Sequence, residues 1–306
     1  MSRLADDWLQ ALGQPAPSYA FKPAFDFQQS YKGEGYLAEF YEQANGPSSS
    51  QRVLLLLPTQ CPEPVPAVVV PFYFPEAMLG FELNSGQPLP RYAGIEMMLH
   101  LCRKGFACIS AEAYHLTYKP SSRSRDDFQR WGDMAAALLA DNPNWSGMGK
   151  LVADTRLLID ALSSDPRIDA GRIGICGHSL GGKMAFYTAC LDERIKATLA
   201  SDFGFCWPQS NWHEAWYWGG KLAELKARGM DHSQLLGLAA PKPFFLIAGE
   251  YDNEESWQLM QKAPGYEKYP ERRVICNHAS GHRPPMKALE KGYQFLEQFL
   301  CKEGRT

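Results

Sequence analysis

The chain has 306 residues, 45% of them hydrophobic and 21% charged, and its formal charge is −3. That composition is a soluble globular one with a sizeable core and excludes a disordered polymer. The near balance of acids and bases, without long basic runs, excludes the electrostatic footprint of a nucleic-acid binder or of a protein held on an anionic membrane.

The expected partner is therefore a small molecule, and nothing in the sequence fixes an oligomeric state. The first residues, MSRLADDWLQALGQ, carry acids where a signal peptide needs an apolar run, so they read as a short amphipathic helix. No segment approaches the roughly 18 apolar residues of a membrane span, and cytoplasmic residence is expected. Residues 1–34 read as an N-terminal extension. Residues 35–74 hold three strand-like runs, GYLAEFYEQ, RVLLLLPTQ and AVVVPFYF, separated by turn-forming NGPSSS and CPEPVP. Consecutive strands with short connections are expected to pair antiparallel.

From Tyr92 the apolar spacing turns helical in GIEMMLHLCRKG, with Gly105 suited to the stop, and leads into the strand FACISAEAY. A polar stretch over 119–147 contains a helix around DMAAALLADN, and GKLVADTRLLIDALSSDP is a second clear helix. Then come the strand and turn RIGICGHS, the helix LGGKMAFYTACLD, the strand IKATLASDFG and a long aromatic excursion. PFFLIAGEYD, ESWQLMQKA, RVICNH and a final helix from about 285 to 302 complete the order. Strands alternating with long helices imply right-handed crossovers and a mainly parallel sheet with helices on both faces. The expectation is one α/β domain over 35–306, with residues 203–238 as a cap-like insertion over the sheet's carboxyl edge.

The strongest chemical signal is Gly177-His178-Ser179-Leu180-Gly181, followed by Gly182, between an apolar strand and a helix. G-x-S-x-G is short enough to occur by chance, but the strand-turn-helix context gives it mechanical meaning. The serine must sit on a sharp turn, and flanking glycines leave room for the close approach of strand and helix. The following helix directs its first N–H groups toward the reacting centre, so the N–H of Leu180 is a candidate oxyanion donor. A serine hydroxyl needs a base, and the base needs a group to fix its tautomer. Asp252 follows the strand PFFLIA, and His282 lies between Gly281 and the last helix; Ser179, Asp252 and His282 thus occur in the chain order of an α/β-hydrolase triad. Glu250 is the competing acid, closer to the strand end. His278 is the competing base, and otherwise a hydrogen-bonding neighbour. The eight cysteines show no CxxC or other ligand spacing and read as small buried hydrophobes, and no metal constellation is apparent.

The stretches DPRIDAGRIGICGHSLGGKMAFYTA, LLGLAAPKPFFLIAGEYDN and HASGHRPP together resemble the α/β-hydrolase superfamily, in particular its dienelactone-hydrolase-like and acetyl-xylan-esterase-like branch. The resemblance covers roughly residues 50 to 302. It implies the α/β-hydrolase fold and a Ser-His-Asp ester hydrolase with no metal or organic cofactor. Many members carry a His-Gly run after the third strand to supply a second oxyanion donor, whereas this chain reads Pro71-Phe72-Tyr73-Phe74-Pro75. The donor is then the backbone N–H of Tyr73 or Phe74, or the Tyr73 hydroxyl.

Four of the eight tryptophans, Trp207, Trp212, Trp216 and Trp218, fall in the excursion. They are expected either to wall a pocket for a short acyl, carbohydrate or aryl ester, or to pack the excursion onto the domain. The triad does not distinguish ester hydrolysis from peptide or thioester cleavage or acyl transfer. A catalytically silent ligand-binding module is the alternative of another class.

Overall fold

A computed structural model describes residues 3–16, 24–46 and 49–301 of the chain. Its elements, in chain order, are helix α1 (Arg3–Leu12), strands β1 (Asp26–Gly33), β2 (Tyr36–Ala44), β3 (Ser50–Pro58) and β4 (Val65–Val69), helix α2 (Met97–Arg103), strand β5 (Ala107–Ala111), and helices α3 (Tyr114–Thr117), α4 (Phe128–Asp141) and α5 (Gly147–Ser164). There follow β6 (Ile168–His178), α6 (Leu180–Leu191), β7 (Ile195–Ser201), α7 (Lys221–Ala227), α8 (His232–Ala239), β8 (Phe244–Ala248), α9 (Glu254–Gln261), β9 (Arg273–Asn277) and α10 (Met286–Leu300). The nine strands form one sheet in the order β1-β2-β3-β5-β4-β6-β7-β8-β9. Pairing is antiparallel from β1 through β3 to β5 and parallel from β5 across to β9.

The sheet is buried on both faces where its strands are continuously apolar. In β3 the alternation is visible residue by residue: Leu54 and Leu56 enter one core, Val53, Leu55 and Leu57 the other. Helices α2 and α10 supply the first core with Met97, Leu101, Leu289 and Leu296, while α5 supplies Leu158, Ile159 and Leu162 to the second. Helix starts are set by side-chain caps where the sequence offers one. Ser146 accepts from the Gly149 N–H at 2.9 Å to open α5, and Asp127 from the Gln129 N–H at 2.8 Å to open α4.

The fold is therefore the α/β-hydrolase arrangement, with two departures from the sequence expectation. First, β4 is not the hairpin partner of β3: it lies between β5 and β6 and runs parallel to both, because the chain crosses over through α2 before β5 fills the gap. Second, the described residues among 1–34 do not stand apart from the sheet. Strand β1 is its outermost member, and α1 inserts Trp8 among Tyr187, Trp207, Trp218 and His232. No helix among the described residues is long and apolar enough to cross a membrane.

Candidate active site

Ser179 sits at the junction of β6 and α6 with φ +55° and ψ −116°, a conformation that costs a non-glycine residue free energy and is held by its surroundings. Its N–H donates to the Ser201 carbonyl of the adjacent β7 at 2.8 Å, and its carbonyl accepts from the Lys183 N–H at 3.1 Å. The glycines around it are sterically required. A Cβ on Gly177 would lie 2.1 Å from the Gly181 carbonyl oxygen, one on Gly181 2.0 Å from that of Pro71, and one on Gly182 2.9 Å from the Cβ of Phe203. Although Ser179 occupies the N-cap position of α6, its hydroxyl is not used as a cap and stays available for chemistry. Leu180 opens the helix, so its N–H is one of the donors that has no intrahelical partner.

His282 lies in the loop after β9, following Gly281 at φ +91°. Its ring packs between those of His178, 4.5 Å away, and Tyr251, 4.7 Å away. Nδ1 is 2.7 Å from a carboxylate oxygen of Asp202, so Nδ1 carries the proton and Nε2 is left as the acceptor nitrogen. Asp202 is the residue directly after β7. The carboxylate expected at this place from the sequence was Asp252, and the structure corrects that assignment: the acid beside His282 is Asp202.

Asp252 is fully buried and spent elsewhere. It accepts from the N–H groups of Phe203, Gly204 and Phe205 at 2.8, 3.0 and 2.6 Å and from the Ser256 hydroxyl at 2.9 Å. Asp202 in turn accepts from the N–H groups of Gly249, Glu250, Tyr251 and Asp252 at 2.9 to 3.1 Å. Each acid thus clasps the loop that carries the other. Burial opposes ionisation of Asp202, but the hydrogen bonds from His282 and from the Asp252 and Glu250 backbone hold it below the usual carboxylate range. Burial pushes Asp252 the other way, above that range, despite the loop N–H groups. The competing acid Glu250 is exposed, and its backbone serves Asp202. His278, the competing base, bonds through Nδ1 to the Ser280 hydroxyl at 2.7 Å, with its ring against Gly249.

The segment after β4 completes the site from the other side. Its closeness is fixed by Gly181, whose Cα abuts the Pro71 carbonyl. The Tyr73 ring is half-buried, 4.5 Å from that of Phe72 and 4.7 Å from that of Trp131. Phe74 turns its ring away, against Tyr92 at 5.3 Å and under the Arg125 guanidinium at 3.8 Å.

The four tryptophans of the excursion do not form the half-exposed wall considered from the sequence. Trp212, Trp216 and Trp218 are buried, and only Trp207 keeps intermediate exposure. The Trp212 indole donates to the Gly204 carbonyl and that of Trp207 to the Met230 carbonyl, both at 2.8 Å, so these rings fasten the excursion to the domain. Lys183, one turn beyond Ser179, is buried beneath the excursion, with Nζ 2.9 Å from the Ser210 hydroxyl and 4.8 Å from the centre of the Trp212 ring. Burial brings its amine down to about 7.

Sequence reasoning missed Asp202 and Lys183. The signal for Asp202 was the Ser201-Asp202 pair within IKATLASDFG, a carboxylate at the carboxyl end of the strand beside the nucleophile's.

With this geometry in view, comparison with known proteins finds a match to a family described as "Glucuronyl esterase, fungi" over residues 79–266. That span includes Ser179, Asp202 and Asp252 and ends before His282. YtaP of Bacillus subtilis (strain 168) is 25% identical over 171 residues, covering 50% of this chain and 54% of that protein. The 4-O-methyl-glucuronoyl methylesterase 1 of Sodiomyces alcalophilus is 30% identical over 115 residues, covering 29% of this chain and 23% of that protein. The chain thus matches about half or less of the length of these curated relatives. Among solved structures, a glucuronoyl esterase from Solibacter usitatus superposes with a TM-score of 0.71 at 14% identity, covering 96% of this chain and 90% of that one, a likeness of fold.

Proposed function

The chain belongs to the glucuronyl esterase family, and from that footing we propose that it is a serine hydrolase that cleaves a carboxylic ester on a carbohydrate through an acyl-enzyme. The observation that carries the reading is the strained Ser179 turn at the same sheet edge as the His282–Asp202 pair, whose 2.7 Å hydrogen bond leaves Nε2 as the base. Ser179 Oγ attacks the ester carbonyl carbon while His282 Nε2 takes its proton. Asp202 stabilises the imidazolium, and the Leu180 N–H donates to the oxyanion. Collapse of the tetrahedral intermediate breaks the bond to the alcohol, which leaves with the proton from His282. Water then enters, gives its proton to His282 and releases the acid and Ser179.

The ester assigned is that of a sugar acid, in which the carbohydrate is the acyl part and the alcohol leaves. The names of the family and of the Sodiomyces relative support this substrate.

Turnover of methyl glucuronate, acetylated xylose and nitrophenyl decanoate tests the reading, together with labelling by an active-serine phosphonate. The expected outcome is labelling of Ser179, fastest turnover of the uronate ester, and loss of both in Ser179→Ala. Preferred cleavage of the decanoate would overturn the substrate class. Failure of Ser179 to label or turn over any ester would leave a ligand-binding module instead.

A further inference from the structure

We propose that His178 is a positioning residue: its ring is a fixed floor for the His282 imidazole, which it holds in the one orientation that keeps Nδ1 on Asp202. The inference rests on the serine-esterase reading above and adds to it a residue that acts on the reaction through the base.

The placement follows from the register of the sheet. His178 of β6 and Ser201 of β7 are register partners, and each directly precedes a residue of the site, Ser179 after one and Asp202 after the other. The Ser179 N–H donates to the Ser201 carbonyl at 2.8 Å, which ties the two strand ends together. Their side chains are paired as well, with His178 Nδ1 3.1 Å from the Ser201 hydroxyl and both residues buried. Turning the His178 ring would leave that nitrogen and that hydroxyl unpaired in the interior, so the plane of the ring is fixed. Phe72, from the segment after β4, lies beside the same ring at 6.5 Å, inclined by 29°. Against this ring His282 packs with centroids 4.5 Å apart, and Tyr251 is a further neighbour of His282 at 4.7 Å, whose own N–H donates to Asp202 at 3.0 Å.

His282 needs such a support because of where it stands. It comes from a loop, directly after Gly281 at φ +91°, and 31% of its side chain is exposed, so other rotamers are open to it besides the one that meets Asp202 at 2.7 Å. That single hydrogen bond fixes the place of Nδ1 but not the tilt of the ring about it; contacts on the ring faces fix the tilt. In turnover His282 accepts the Ser179 proton and later gives it to the leaving alcohol, so one orientation has to last through two transfers, and a small misplacement is costly. The floor also has to be uncharged while His282 is an imidazolium. Burial brings His178 down to about 3, with His282 and Arg283 acting in the same direction against Asp202, so it stays neutral beside the cation that forms. His178 itself takes up no proton in the reaction and touches no reacting atom, which places its effect on kcat rather than on KM.

His178→Ala removes the floor, His178→Phe puts back a flat ring without nitrogens, and Ser201→Ala keeps the imidazole but unties it. His178→Ala is expected to lower kcat by roughly 10- to 10²-fold with KM within a few-fold, and His178→Phe to recover most of that loss. A second measurement reads the base directly: the far-downfield proton resonance of the His282 Nδ1–H bonded to Asp202, recorded well below the melting temperature of each variant. It should be sharp in wild type and His178→Phe and broadened or lost in His178→Ala, a difference that packing loss elsewhere would not produce. Near wild-type kcat with an intact resonance in His178→Ala overturns the proposal. So does a His178→Phe that is as slow as His178→Ala while keeping the resonance, since the effect would then lie in the nitrogens of His178. If His178→Ala does not fold, Ser201→Ala decides by the same two measurements: a loss in kcat of roughly 3- to 10-fold with a broadened resonance supports the floor, and an unchanged kcat overturns it. None of these results bears on Ser179 as nucleophile, which falls only if Ser179→Ala still turns over ester.

Discussion

Asp202 and Asp252 are a pair of residues whose roles are separated by geometry alone. Asp202 directly follows β7 and Asp252 lies in the loop after β8; both are fully buried, and each takes a run of consecutive backbone N–H groups from the other's loop. Only Asp202 has a carboxylate oxygen left for His282. Asp202→Asn should therefore reduce kcat by roughly 10⁴-fold, because an amide in that place can present its NH₂ and trap the wrong imidazole tautomer. Asp252→Ala should instead act on stability. It leaves three N–H groups without their acceptor, at about 1–3 kcal/mol for each one that water does not reach, with a smaller loss of kcat through the displaced loop. Denaturant unfolding and steady-state kinetics on the two variants check this, and a larger kcat loss for Asp252→Ala than for Asp202→Asn would reverse the assignment. The turn that carries Ser179 and the loop that carries His282 were legible because each depends on a local pattern: glycines that a turn requires, and a histidine loop before the last helix. The acid was not legible, because carboxylates at the ends of neighbouring strands look alike until the hydrogen bonds of the loops between them are known.

At the scale of elements, alternation of strand and helix identified the parallel half of the sheet, since continuous apolar runs such as VLLLL and AVVV suit strands buried on both faces. Strand β1 escaped because DFQQSYKG is polar and largely exposed at the sheet's edge, so no hydrophobic alternation marks it. The place of β4 escaped because closeness in sequence favours hairpins, and only the crossover through α2 brings β5 in between. The aromatic stretch over 203–238 makes the same point in energetic terms. Its tryptophans looked equally suited to binding and to packing, and burial of Trp212 with a satisfied indole N–H favours packing. Trp212→Ala should thus destabilise the protein by about 3–5 kcal/mol, seen as a lower melting temperature, while KM of the folded enzyme changes little. A raised KM with an unchanged melting temperature would return Trp212 to the substrate.

Across the whole molecule, one buried histidine ties four parts of the chain together. His232, at the start of α8, stacks against Trp8 of α1 with centroids 6.3 Å apart and lies 4.1 Å from Trp207 and 4.8 Å from Trp212 of the aromatic stretch. Its Nδ1 is 2.7 Å from the Phe205 carbonyl and its Nε2 2.7 Å from the Tyr187 hydroxyl of α6. The carbonyl can only accept, so Nδ1 carries the hydrogen and Nε2 must accept from Tyr187. A second proton on Nε2 would displace that bond and place a charge among aromatic rings. Burial accordingly brings His232 down to about 4, although the Phe205 carbonyl favours the charged form. Since the folded value lies below that of the unfolded chain, near 6.5, the unfolded chain binds a proton first as pH falls. The stability that neutral His232 contributes is complete above that value and is lost progressively as pH falls toward 4. At pH 5 the loss amounts to about 2 kcal/mol from this residue, whatever the other groups contribute. His232→Gln should be less stable than wild type at pH 7.5, and the difference between the two in denaturant unfolding should shrink by about that amount at pH 5. A difference that stays constant between these pH values would mean that His232 does not remain neutral in the folded protein, and its part in joining α1, the aromatic stretch, α6 and α8 would have to rest on packing alone.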